Sequence, residues 1–254
     1  SFTFILSLKR LIKSLLKSRF TFFLPIDFTK LINHQIVLIF ETNSLSNGKI
    51  QIKMDIEFKI SKKPVNYKKA LNLLEKRVNK VKSGGRELVW FLEHPTTYTA
   101  GIRYNKEEIL DKSINVIRTN RGGKITLHNP GQKIVYFVID LNRRKKNIRN
   151  LVRQIESIII KFLTIYKIKS YADKKNIGVW VNKKKIAAIG IRVSRWIAYH
   201  GFSININNNL NDYKRIIPCG LDNKKVTSLK NEGKKHFNIN NNLKDIFIKN
   251  LPKI

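Results

Sequence analysis

From residue 54 onward the chain predicts a mixed α/β domain, a mixed sheet with flanking helices. Short strand-like segments, some alternating polar and apolar and some continuously apolar, are interleaved with long segments whose apolar residues recur every three or four positions. No internal repeat and no linker interrupts them, so residues 54–254 read as one domain.

The elements follow in order. Residues 55–60 alternate polar and apolar, as a half-buried strand does. Pro64 then opens a helix whose face carries Tyr67, Ala70, Leu71, Leu74, Val78 and Val81, and Gly84-Gly85 ends it. Residues 88–92 form an apolar run of buried-strand length, leading into a turn at Glu93, His94 and Pro95. Residues 114–118 are a further strand candidate. Residues 121–132 are glycine-rich, with Arg121 at one end and His128 towards the other. They read either as a hairpin turn or as a loop whose glycines admit a ligand to the backbone, with Arg121 on an anionic or carbonyl group. The pattern is neither a Walker A loop nor the GxGxxG dinucleotide fingerprint.

Residues 133–141 read as a core strand. Asn147 caps the clearest helix, whose apolar face runs from Ile148 through Leu151, Ile155, Ile159 and Phe162 to Tyr166 and is read as core. Residues 177–181 and 185–193 make a hairpin through 182–184, and 196–206 add a third strand. Residues 207–209 and 238–242 read as asparagine-rich loops, and 243–251 as a short terminal helix.

Residues 1–53 differ. They are basic, contain no alanine, and break their apolar runs with Lys9, Arg10, Lys13, Lys17 and Arg19. That is too interrupted for a transmembrane helix, and no small-residue site follows to suggest a secretory signal. Met54 is the only methionine, and regular patterning starts beside it. The expectation is that Met54 is the natural start and 1–53 an extension. The alternative is an organelle presequence.

The formal charge is +34. A Lys/Asn/Ile-rich coding bias, an acidic protein partner and a nucleic acid each account for such a balance. The lysines are scattered, and no helix-turn-helix, zinc-finger or RNP-like motif accompanies them, which weighs against nucleic acid. One cysteine rules out an internal disulfide and fits a reducing compartment.

That cysteine, Cys219, lies in a Pro-Cys-Gly turn. It is either a small hydrophobe or a reactive thiol held at a cleft. A nucleophilic thiolate needs a neighbouring cation or base. Lys185, entering a strand from a lysine-rich turn, and His200 are the candidates, and spacing does not choose between them. His34, His94 and His236 form no metal-ligand pattern, so no metal is expected.

Four blocks, taken together, resemble the lipoyl(octanoyl) transferases. They are LEHPTTYTAG (92–101), RGGKITLHNPGQ (121–132), GVWV (178–181) followed by KIAAIGIRV (185–193), and HGFSIN (200–205) leading to Pro218-Cys219-Gly220. Asn129 stands where that family usually has glycine, and 1–53 is outside its pattern. The resemblance implies a catalytic domain similar to that of biotin and lipoate protein ligases, and a two-step acyl transfer without ATP. It implies that Cys219 carries the acyl thioester and that Lys185 lowers the cysteine's pKa and assists proton transfer; His200, a candidate base from its residue type alone, is kept as a supporting group. It assigns substrate binding to Arg121, Gly122, Gly123, Lys124, Ile125, Thr126, Leu127 and His128, to Ala188, Ile189 and Gly190, and to Gly201, Phe202 and Ser203. The implied partners are acyl carrier protein, whose phosphopantetheine bears the octanoyl group, and lipoyl domains of 2-oxoacid dehydrogenase and glycine cleavage complexes. The protein is expected to be a cytoplasmic monomer with no cofactor of its own, no nucleic acid and no membrane. An ATP-dependent lipoate or biotin ligase is the rival enzyme, distinguished by its need for ATP.

Overall fold

The computed structural model describes residues 56–218, 226–234 and 238–250. The expectations for 1–53 and Met54, and the side chain of Cys219, lie outside the described residues.

The elements run β1 (Ile56–Ile60), α1 (Tyr67–Lys82), β2 (Glu87–Leu92), β3 (Thr97–Ala100), β4 (Val116–Arg118), β5 (Ile125–His128), β6 (Gln132–Asp140), α2 (Ile148–Ile165), β7 (Tyr171–Ala172), β8 (Val179–Val181), β9 (Lys184–Ser194), β10 (Ile197–Asn205) and α3 (Ile239–Asn250). Among the described residues a seven-stranded sheet has the order β1-β2-β6-β10-β9-β8-β7, and a three-stranded sheet the order β4-β3-β5. In the large sheet only β1 and β2 pair in parallel. A parallel pair needs a crossover, and α1 supplies it.

β6 is buried along its whole length because both faces of the sheet are covered. Its odd positions, Val135, Phe137 and Ile139, pack with Leu151, Ile155 and Ile159 of α2 and Phe247 of α3. Its even positions, Ile134, Tyr136 and Val138, pack with Ala70, Leu74, Val78 and Val81 of α1. A period of two thus separates two cores through one strand. A smaller core of Tyr98, Ile125, Leu127, Tyr213 and Ile216 lies by the three-stranded sheet.

The two hairpins at β8–β9 and β9–β10 turn through paired left-handed residues, Asn182 (φ 46°) with Lys183 (φ 62°) and Arg195 (φ 50°) with Trp196 (φ 65°). Such turns match the twist of the strands they join.

Three expectations are corrected. The first helix starts at Tyr67, not at Pro64, because Asn66 caps it through Lys69 N–H at 3.2 Å while Val65 N–H is held by Glu93 O at 2.8 Å. Residues 239–242 are the first turn of α3, not loop. Asn242 N–H donates to Asn238 O and its side-chain amide to Tyr166 Oη at 3.0 Å, while Leu243 and Phe247 bury the helix. The three-stranded sheet, of which only 114–118 reads as strand in the sequence, is built from segments too short for alternation to show.

Candidate active site

Glycines shape the site. A Cβ on Gly122 would lie 2.7 Å from Ile191 O, and one on Gly190 would lie 3.3 Å from Gly122 O. The loop after β4 therefore lies backbone to backbone on the middle of β9. The cleft between them is walled by Gly122, Gly123, Ala188, Ile189, Gly190, Gly201 and Phe202, with Arg121, Lys124, Thr126, His128, Ser203, His200 and Tyr136 adding polar groups. Ile125 and Leu127, also expected to bind substrate, do not line this cleft. Strand alternation turns them into the small core with Tyr98.

Arg121 is nearly buried and largely engaged. Its guanidinium donates to Thr99 O at 2.7 Å, Thr99 Oγ1 at 2.9 Å and Gly122 O at 3.0 Å, stapling the loop to β3. Its Nε–H has no protein partner among the described residues.

Three buried histidines gather on this side of the sheet. His94 Nδ1 faces Val65 O at 2.6 Å, so it carries the proton, and Nε2 accepts from Tyr136 Oη at 2.9 Å. His128 Nδ1 donates to Gln132 Oε1 at 2.8 Å, since the amide nitrogen of Gln132 is spent on Leu127 O, Asn205 Oδ1 and Tyr213 Oη. His200 Nε2 meets Asn120 Oδ1 at 2.8 Å, and its Nδ1 is buried without a partner among the described residues. Burial lowers His94 to about 4, against the hydrogen bond to Val65. It lowers His128 to about 3, reinforced by His94, Arg121 and His200, and His200 to about 3, reinforced by Arg121 and Arg192. All three are neutral imidazoles at neutral pH.

His200 owes its position to its backbone. Alternation would put it on the opposite face from Tyr199, yet the two rings stack 4.9 Å apart. A left-handed φ of 69° at His200 accounts for this and turns the imidazole towards Tyr136 and the cleft.

Lys185 lies at the start of β9, only 7% exposed. It lines a second cavity with Thr126, Ala187, Ala188, Ser203, Asn205 and Pro218, the residue before Cys219. Thr126, Ala188 and Ser203 also wall the cleft. Its ammonium donates to Ile177 O at 3.2 Å and lies 4.8 Å from the Trp180 ring centroid. Thr227 N–H donates to Lys185 O at 3.0 Å, so Pro218 and the Val226–Thr227 segment both adjoin this lysine. His200 lines the cleft and not the lysine's cavity.

The sequence reading passes over Tyr136, which it takes as core, and His94, which it takes as a turn residue. The signal available was a tyrosine inside an apolar run, whose hydroxyl must find a partner once buried.

The family model for the lipoyl protein ligase A/B catalytic domain matches residues 66–251. An octanoyltransferase of Anaplasma phagocytophilum (strain HZ) is 47% identical over 188 residues, covering 71% of this chain and 90% of that protein. One of Wolbachia sp. subsp. Brugia malayi (strain TRS) is 41% identical over 202 residues, covering 76% and 98%. Among solved structures, a putative lipoate protein ligase from T. acidophilum with bound lipoic acid superposes with a TM-score of 0.63 at 15% identity, covering 77% of this chain and 85% of that one. A lipoate-protein ligase A bound with ATP gives 0.62 at 13%, covering 76% and 84%. The chain belongs to the lipoyl protein ligase A/B catalytic-domain family and, within it, to the octanoyltransferases. It is an acyltransferase with the mixed-sheet, ligase-like fold expected of it. No helix among the described residues is long and apolar enough to cross a membrane.

Proposed function

We propose that the protein moves an octanoyl group from the phosphopantetheine thioester of an acyl carrier protein, through a thioester on Cys219, to a lysine of lipoyl domains, as a cytoplasmic monomer. The observation that carries this reading is Lys185: a nearly buried ammonium in a cavity that shares three walls with a narrow, glycine-lined cleft and includes the residue preceding Cys219.

In the first half-reaction the Cys219 thiolate attacks the donor carbonyl and the pantetheine thiolate leaves, taking a proton. One thioester replaces another at nearly equal free energy, so no nucleotide and no metal is required. In the second, the acceptor amine attacks the acyl-enzyme, gives up a proton, and expels the Cys219 thiolate as the amide forms. As an ammonium Lys185 holds the Cys219 sulfur anionic and gives its proton to the departing pantetheine thiolate; the neutral amine left behind then takes the acceptor amine's proton and is restored for the next cycle. The apolar walls at Ala188, Ile189 and Phe202 suit an alkyl chain, and the glycines suit its close approach. The excess of lysine and arginine suits acidic carrier and lipoyl domains at both docking steps.

Mixing the protein with octanoyl-carrier protein should yield one octanoyl adduct by intact-mass measurement, removed by hydroxylamine. Cys219→Ser should form none, and Lys185→Ala should slow both half-reactions. A Cys219→Ser variant that still turns over would overturn the covalent route, and transfer of free octanoate only with ATP would reassign the protein to the ligases.

A further inference from the structure

Glu156 lies on α2 beside the apolar face, 9% exposed, and its neighbours Ile155, Ile158 and Ile159 are buried core. A carboxylate there is costly unless it has a definite partner. Its partner is a backbone group: Gly178 N–H donates to Glu156 Oε1 at 3.2 Å. The other edge of that same peptide unit is the carbonyl of Ile177, which accepts the Lys185 ammonium at 3.2 Å. One planar amide therefore stands between a carboxylate on α2 and the proposed catalytic amine on β9.

Gly178 makes the arrangement tight. Its φ of 132° is open only to glycine, and a Cβ there would meet Ala187 O at 2.6 Å and Lys185 Cε at 3.3 Å. The lysine stem thus runs across the Gly178 Cα before its ammonium bends back onto the Ile177 carbonyl. A peptide preceding glycine rotates easily, because glycine accepts almost any φ. Half a turn of this one would swing the carbonyl away from Lys185. A charged acceptor on the N–H edge resists that rotation, since such bonds are roughly twice as strong as neutral ones. It also polarises the amide, so that the carbonyl becomes a better acceptor for the ammonium.

We propose that Glu156 is a positioning residue for Lys185, acting through the Ile177–Gly178 peptide. The proposal rests on the reading of Lys185 as the group that serves Cys219. Burial raises the Glu156 carboxyl above its ordinary value, opposed by the Gly178 N–H and by Arg153 and assisted by Asp173. Among the described residues those two side chains are the charged groups that shift it.

The test uses the full chain with Glu156→Ala, Glu156→Gln, Lys185→Ala and the double variants. The first readout is single-turnover formation of the octanoyl-enzyme. Glu156→Ala should slow it by about 10- to 100-fold, the loss expected when a reacting group is displaced by about an ångström, with the donor KM unchanged. Glu156→Gln, which keeps a neutral acceptor of the same shape, should recover part of that loss. It also serves if the alanine variant folds poorly. In a Lys185→Ala background the Glu156 changes should have no further effect. The second readout is the pH dependence of trace acetylation of Lys185, followed by peptide mass. Removing the carboxylate weakens support for the ammonium, so labelling should begin at lower pH in both Glu156 variants. Labelling curves that superimpose on the wild type, or Glu156 and Lys185 losses that multiply in the double variants, overturn the proposal. Undiminished transfer by Lys185→Ala would instead remove the role of the lysine, an outcome the labelling curves do not depend on.

Discussion

Gly201 sits in β10 directly opposite Tyr136 of β6, and a Cβ there would overlap the carbonyl oxygen of Val135. The close approach is between two backbones in the middle of the large sheet, so no rotamer change relieves it. Gly201→Ala should therefore force β10 off β6, costing roughly 1–3 kcal/mol as overpacking does. It should also narrow the cleft whose wall Gly201 forms. Chemical denaturation and acyl-enzyme formation should both register the change. Full stability with full activity would mean that the strands are further apart than described. His200 shows the converse use of backbone conformation. A left-handed residue inside a strand costs about 1–3 kcal/mol, and here it aims an imidazole at the cleft that alternation would have aimed elsewhere.

At the scale of the element, α2 links the core to the site. Its buried face fills the larger core, and its flank carries Glu156 to the Ile177–Gly178 peptide. Its start depends on one side chain, since Asn147 Oδ1 accepts Asn150 N–H at 2.9 Å. Asn147→Ala should cost about 1 kcal/mol, the usual loss for such a cap. For a chain of this size that is a melting temperature lower by roughly 2–4 °C. Thermal unfolding followed by circular dichroism measures it. Transfer activity well below the melting point should be unchanged, because the cap lies more than two turns from Glu156.

At the scale of the whole molecule, the three neutral histidines couple stability to pH. In the folded protein His94 is lowered to about 4 and His128 and His200 to about 3, against 6.5 in the unfolded chain. Between these values the unfolded state binds protons that the folded state refuses. The stabilisation is complete above pH 6.5 and is lost as pH falls towards the folded values. Each histidine contributes about 3–5 kcal/mol across that window, comparable together to the whole stability of a domain. The urea midpoint should be flat above pH 7 and fall steeply below pH 6, with His128→Gln giving a shallower fall. A midpoint unchanged between pH 6.5 and 4.5 would mean that these imidazoles are hydrated in the folded protein.

The amino-acid pattern alone carried the two long helices, the buried strands β2 and β6 and the β8–β9–β10 hairpins. Each depends on a period of two or 3.6 that is visible within a dozen residues. The glycines and basic residues of the site were legible as well, because close backbone approach and anion handling demand particular residue types. Folding was needed to show the rest. The ladders of the small sheet are three and four pairs long and gain their order from one another. The first turn of α3 forms because Leu243 and Phe247 have a core to enter, against the loop preference of an asparagine run. The facing of His200, the tying of Arg121 to Thr99 and the bridge from Glu156 to Lys185 join residues that are remote in sequence. Periodicity reports which side of an element is apolar. Which polar atom meets which is set only when separate elements are packed, since a hydrogen bond is decided within a few tenths of an ångström.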